Sequence, residues 1–244
     1  MVDVAHIVPP SPDDSPRRRS RARPWHAAVA LAVAAAVGGG LWAWKPWQEV
    51  DLPQSACWNL VTKDELRVLA GPDGRGYEGA HQDRMATPSD PVNGDRYGKC
   101  EVWWAGQHTT ADSLLSATVS PAYDGIDADR QRDTGEAGRT VPLDFGPDAV
   151  GWVADAGGDK SPQVRLYLRC DGYQLPAELR KGDAAPAYVQ VSVDGEPWVS
   201  TSPRARIRQT YADVALKIAR AAAGSYRCTN TPRLAATAPT VPVE

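Results

Sequence analysis

Gln163-Val164-Arg165-Leu166-Tyr167-Leu168-Arg169-Cys170 is the stretch that decides the fold class. Val164, Leu166 and Leu168 alternate with Arg165, Tyr167 and Arg169, the period of a strand with one buried face. Just upstream, Ala149 to Ala154 reads as a second strand, separated from the first by the turn residues Asp155-Ala156-Gly157-Gly158-Asp159. Downstream, Tyr188 to Val193 reads as a third, closed by Asp194-Gly195, a hairpin signal. Trp198 to Thr201 is its expected partner.

Moving further out, Cys100 to Ala105 and Leu114 to Val119 read as strands, with Gly106 to Asp112 turning the hairpin between them. Thr140 to Leu143 is a short edge strand. Asp73 to Gly98 holds seven Gly or Pro and reads as a long loop. Tyr123 to Arg139 is charged and polar and reads as another.

Two helices flank the strands. Thr62-Lys63-Asp64-Glu65 is a capping box with Thr62 as N-cap and Glu65 at N3. Leu66, Val68 and Leu69 follow, and Gly71-Pro72 ends the helix. Gln209 to Ser225 places Tyr211, Val214, Ala215, Ile218, Ala219 and Ala222 on one stripe at helical spacing. Thr210 is the expected cap and Gly224 lies near the end. The order helix, strands, helix predicts an α+β domain, with a mostly antiparallel sheet and helices on one face. The expected domain covers residues 55–228, after a linker at 45–54. Residues 229–244, rich in Thr, Pro and Ala, read as a loose tail.

Ahead of the domain stands Trp25 to Trp44, WHAAVALAVAAAVGGGLWAW. Ala27 to Trp44 carries no ionisable side chain and as a helix spans roughly 27 Å, close to the hydrocarbon thickness of a bilayer. Trp25, Trp42, Trp44 and Trp47 cluster at its ends, where indoles favour the headgroup region. Arg17, Arg18, Arg19, Arg21 and Arg23 precede it. The expectation is a single transmembrane helix over 25–44 in the plasma membrane. Residues 1–24 then form a disordered cytoplasmic tail, the rest lies outside the cytoplasm, and the helix contacts membrane lipids. A cleaved signal peptide is the rival reading. It is disfavoured because the small-x-small site (Ala36, Gly38, Gly40) falls inside the apolar run. Cys57 follows Gln54-Ser55-Ala56, which lacks the aliphatic residue of a lipobox.

All four cysteines, Cys57, Cys100, Cys170 and Cys228, fall beyond the apolar run. An even count in an oxidising compartment predicts two disulfides. Three connectivities are open. The pairing 57–100 with 170–228 is favoured because each pair brackets one half of the domain. Their spacings match no zinc pattern.

The chain carries a formal net charge of −3. Five arginines against three aspartates in the first 26 residues make that end basic and the remainder more acidic still. No basic surface for nucleic acid is expected. The arginines beside the apolar run would meet anionic lipid headgroups instead.

The run Ser55-Ala56-Cys57-Trp58-Asn59-Leu60-Val61-Thr62-Lys63-Asp64-Glu65-Leu66 resembles the opening of uncharacterised actinobacterial cell-envelope proteins. These are small secreted or membrane-anchored domains of unknown function. A second Cys before a Trp-bearing strand (Cys100-Glu101-Val102-Trp103-Trp104) and a closing alanine-rich helix ending in Cys (Tyr211 to Cys228) are similar to theirs. The resemblance covers residues 55–228. It implies an envelope location and disulfides, and it transfers no functional residue.

Few residues suggest chemistry. No G-x-S-x-G is present, and His81 and His108 sit in predicted loops. Glu101 with Asp112 is a candidate glycosidase-like acid pair, but surface carboxylates are too common here to favour it. Asp124, Asp127 and Asp129 have alternate acidic spacing but lack the register of a calcium loop. Trp103 and Trp104 are adjacent on a strand, so one ring belongs to the core and the other is a candidate binding platform. Arg204, Arg206 and Arg208 alternate before the last helix as a candidate cationic strip. The expected function is therefore a non-enzymatic envelope module that binds a partner protein or a wall polymer, with no cofactor and no metal. The alternative is an envelope hydrolase with an unrecognised site. A transmembrane sensor is a third reading, but a tail of about 24 residues is too short for a folded signalling domain.

Overall fold

The structure, a computed structural model, describes residues 24–44, 49–79, 84–106, 112–123, 125–154, 161–173, 187–196 and 198–242. It divides into two units, Met1–Trp47 and Gln48–Glu244.

The first unit contains helix α1 (Pro24–Trp44). Trp25, Val29, Leu31, Val33 and Val37 are exposed on it. The predicted apolar segment is thus helical. Among the described residues, however, no helix is long and apolar enough to cross a membrane. Alanine and glycine make up most of the described part of α1 and offer little apolar surface each.

The second unit is built on an eight-stranded sheet in the order β1-β4-β5-β6-β10-β9-β8-β7. Its strands are β1 (Val50–Asp51), β4 (Gly74–Glu78), β5 (Gly98–Ala105), β6 (Asp112–Pro121), β7 (Thr140–Leu143), β8 (Ala149–Ala154), β9 (Gln163–Arg169) and β10 (Tyr188–Asp194). Every pairing is antiparallel except that of β1 with β4. A small hairpin, β2 (Ser55–Ala56) with β3 (Val61–Thr62), stands apart. The α+β reading and the antiparallel sheet hold.

Helix α2 (Lys63–Leu69) begins at the expected capping box: Glu65 N donates to Thr62 Oγ1, and Thr62 N donates to the Glu65 carboxylate at 2.9 Å. Helix α4 (Arg204–Ser225) buries Tyr211, Val214, Ala215, Ile218, Ala219 and Ala222, the predicted stripe, over β9 and β10. The inward residues Val164, Leu166, Leu168, Val189, Val191 and Val193 complete that core. Lys217 Nζ ties α4 to α2 by contacting both Glu65 oxygens at 2.8 Å.

Four expectations are corrected. Helices occupy both faces, because α3 (Ile126–Ala137) forms where a charged loop was expected. Trp152, Arg165 and Tyr167 meet α3, while their strand neighbours Val153, Val164, Leu166 and Leu168 lie in the core with α4. Alternate residues face opposite sides, so α3 is on the far face. Secondly, β4 forms inside the expected Asp73–Gly98 loop; its Gly74 and Gly76 hide it from propensity while letting Trp104 and Leu52 approach closely. Thirdly, β10 pairs with β6 and β9, not with Trp198 to Thr201, which is a turn stitched to α2 by Ser200 Oγ donating to Val68 O.

Fourthly, the segment after Cys228 is docked rather than loose. Ala235 N donates to Phe145 O at 2.7 Å, Arg233 pairs with Asp148 at 3.0 Å, and Val241 is buried. Val241 N donates to Gln209 Oε1, and Gln209 Nε2 to Pro239 O. Of the predicted Gly106 to Asp112 turn, residues 107–111 lie outside the described residues, as do the whole of the Asp155 to Asp159 turn and residues 1–23.

Candidate binding pocket

Both disulfides form in the favoured pairing, Cys57–Cys100 and Cys170–Cys228. Each braces one wall of a concavity of about 510 Å³ lined by Arg84, Met85, Thr87, Ser89, Asp90, Gly224, Ser225 and Arg227.

The first wall is the segment entering β5. Two tight turns shape it. Thr87 and Asp90 exchange backbone hydrogen bonds at 3.1 and 3.2 Å, and Val92 and Asp95 do so at 3.0 and 2.9 Å. Asp90 N also donates to Thr87 Oγ1 at 3.1 Å. Met85, Ala86 and Thr87 are buried and anchor the turns. Met85 and Trp58 both lie over Gly98, where a Cβ would come within 2.8 Å of Met85 Cγ. Trp58 follows Cys57, and Gly98 stands two residues before Cys100, so the first disulfide fixes this contact.

The second wall is the end of α4. Arg227 takes the left-handed conformation at φ 52°, a state that costs a non-glycine residue of order 1 kcal/mol and persists only under constraint. The constraint is visible on its C-terminal side. Cys228 is bonded to Cys170, Thr229 N and Oγ1 both donate to Asp171 O, and Asn230 bridges Asp171 N and Arg169 O. The chain leaving α4 is therefore sewn to the end of β9.

Charges across the pocket are unequal. Arg84 pairs with Asp90. Arg227 is exposed, and among the described residues it makes no ion pair. The pocket thus carries one surplus guanidinium beside the hydroxyls of Thr87, Ser89 and Ser225.

The residues favoured from sequence are not brought together. Trp104 is buried in the main core, packed over Gly74, and offers no platform. Trp103 faces the other way, as the strand period requires. It is half-buried beside Gly79, opposite Tyr77 on β4 and Ser113 on β6. A bulge at this point lets both Leu114 and Leu115 be buried. Arg204, Arg206 and Arg208 do not form a strip on an extended edge. They are the first turns of α4, where residues two apart point to nearly opposite sides. Arg208 is buried and donates to Pro242 O. Thr210 is accordingly no cap; its hydroxyl donates to Arg206 O.

The acidic candidates are accounted for by the fold. Asp129 accepts the Tyr167 hydroxyl at 2.6 Å and Arg132 Nη1 at 2.9 Å, within a helix rather than a calcium loop. Asp124 lies outside the described residues, as do His81 and His108. Glu101 stands opposite Ser116 and is paired with Lys99 at 3.2 Å, whereas Asp112 stands opposite Trp104. The two backbone positions are thus three residues, about 10 Å, apart along β5, and the Asp112 side chain lies outside the described residues. Glu78 lies beside Cys57 and Cys100, a set with metal-like spacing, but the sulfurs are bonded to each other and unavailable as thiolate ligands.

The sequence held a signal for half of the pocket. Thr87-Pro88-Ser89-Asp90 is turn chemistry. Nothing in the sequence linked it to Arg227. Comparison with protein-family models, with curated proteins and with solved structures finds no match for this chain. The likeness to actinobacterial envelope proteins therefore rests on its short motifs alone.

Proposed function

We propose that this chain is a single-pass membrane protein of the cell envelope. Its N-terminus is cytoplasmic, α1 is the anchor, and the disulfide-bonded domain is extracytoplasmic and binds a partner protein or an envelope component without catalysis. The observation that carries this reading is the oxidation of all four cysteines in the unit that follows α1. Disulfides of this kind persist in secreted and extracytoplasmic compartments and are rare in the cytosol.

The anchoring part draws on the sequence of the whole helix. It is charge-free from Ala27 to Trp44, has tryptophans at both ends and arginines on the side assigned to the cytoplasm. The binding part draws on the pocket, whose walls are each pinned by a disulfide while its rim is polar. Pre-set walls lower the ordering cost of capturing a ligand.

Labelling of intact cells with a membrane-impermeant amine reagent tests the topology. Lys99, exposed on β5, is expected to react before lysis. Reaction only after lysis, with the cysteines recovered as free thiols, refutes the proposal.

A further inference from the structure

We infer that the pocket between the Thr87–Asp90 turn and the end of α4 is a binding site for a small hydroxylated ligand bearing one oxyanion, with Arg227 as its anchor. The inference rests on the binding reading above and names the chemistry of that site.

The charge balance points to an anion. Asp90 already satisfies Arg84, so an incoming group meets the single surplus charge of Arg227. A guanidinium presents several donors in a fixed plane and matches a carboxylate or a phosphate in a two-point contact. Ser89 and Ser225 stand on the pocket wall, able to donate to oxyanion oxygens or accept from ligand hydroxyls. Arg84 and Asp90 supply a paired donor and acceptor for further hydroxyls. Met85 contributes the apolar part of the lining. The volume lies within the usual range for small-molecule sites.

One effect opposes an anion here. The C-terminal end of a helix carries partial negative charge, worth about half an elementary charge before capping. In α4 three of the last four carbonyls are occupied: Tyr226 N donates to Ala222 O, Arg227 N to Gly224 O and Cys228 N to Ala223 O. A full charge on Arg227 outweighs the remainder.

Arg227 also reports on how the site is built. Its left-handed backbone is the conformation that glycine adopts without cost, yet the chain holds an arginine there. A backbone requirement alone does not call for a long cationic side chain at that position.

The experiment uses the full chain in detergent, titrated with inorganic phosphate, glucose 6-phosphate, glucuronate and uncharged glucose, with binding read by calorimetry. The phosphorylated sugar and glucuronate are expected to bind, and their ratio separates a phosphate from a carboxylate ligand. Glucose is expected to bind at least tenfold more weakly than the better of the two. Arg227→Gly keeps the backbone conformation and removes the guanidinium. It is expected to weaken anion binding about tenfold or more while leaving thermal stability equal or higher. Ser225→Ala is expected to weaken it about threefold. Equal affinity in the Arg227→Gly variant, equal affinity for glucose, or no binding of either anionic sugar overturns the inference. A domain found outside the membrane that binds neither anion sinks this inference and spares the topology. A domain found in the cytosol does the reverse.

Discussion

The Asp133 carboxylate accepts the Trp152 indole N–H at 2.7 Å, and Arg165 Nε lies 2.7 Å from the same oxygen. Asp133 is fully buried between α3 and the sheet, and the Arg165 side chain nearly so. Trp152 also stacks on Tyr167 with ring centroids 5.1 Å apart, and Arg130 lies 4.8 Å over its ring. Helix α3 is thus held on its face of the sheet by ionic and hydrogen-bonded contacts, with Ile126 and Ala137 adding a small apolar fringe.

Removing that carboxylate takes from the Arg165 guanidinium its direct ion-pair partner at a nearly dry interface, leaving Asp194 to act on it through space. Asp133→Ala is expected to lower unfolding free energy by about 3–5 kcal/mol, and Asp133→Asn by less, because an amide oxygen still accepts the indole N–H. Urea titration followed by tryptophan fluorescence measures both. A loss below about 1 kcal/mol for the alanine variant would show that α3 is not secured through Asp133.

The two disulfides close loops of similar length, with sequence separations of 43 and 58. Chain-entropy arguments give each roughly 4 kcal/mol, and measured values for native bridges run about 2–5 kcal/mol. The paired variant Cys170→Ala with Cys228→Ala is expected to lose stability within that range and to weaken ligand binding as well, since Arg227 loses its brace. Guanidinium midpoints and calorimetry on the same preparation report the two effects. Loss of stability with ligand affinity unchanged would mean that Thr229 and Asn230 hold that wall without the bridge.

Adjacent tryptophans on β5 should respond very differently. Trp104→Ala empties a buried site and is expected to cost about 3–5 kcal/mol. Trp103→Ala, on the half-buried opposite face, is expected to cost about 1 kcal/mol. Thermal denaturation of the two variants side by side distinguishes them, and equal losses would contradict the assignment of the two faces.

Acid should act on Asp148 and Asp194 in opposite directions. Hydrogen bonding from the Arg233 side chain, then from its backbone N–H, holds the Asp148 pKa below the usual carboxylate value. Its contribution is present above the unfolded pKa and is lost as pH falls through the lower folded one. Burial pushes the Asp194 pKa up, partly offset by hydrogen bonds such as that from Gln163. The folded state then takes up that proton first, so acidification through the raised pKa adds stability until the unfolded pKa is reached. Asp194→Asn is expected to be more stable than the parent at neutral pH and to lack the gain on mild acidification. Asp148→Asn is expected to flatten the profile at lower pH. Denaturant midpoints measured against pH test both, and a parallel profile for either variant would contradict its assignment.

Where local sequence and tertiary environment agree, the fold was readable. The Thr62–Glu65 box caps α2, and the alternation in Gln163–Arg169 matches β9 with the core on the expected side. Helix α3 escaped because the residues it buries are Asp129 and Asp133, so its inward face carries no apolar period. Arg204, Arg206 and Arg208 look extended by alternation, yet Ile207 and Tyr211 draw that stretch into the same helix. The segment after Cys228 reads as disordered by composition. It is held by backbone groups and one ion pair, which composition does not display. The pocket was only partly readable because its walls come from opposite ends of the domain.

The return path of the C-terminal segment has a practical side. Pro242 O accepts from Arg208 and Val241 N donates to Gln209, so residues 241–242 lie beside the opening turns of α4. Gly224 lies roughly 22 Å along that helix. A reporter or surface tether attached beside Pro242 would sit at the other end of α4 from Arg227, leaving the rim around Ser225 open to whatever is added in solution.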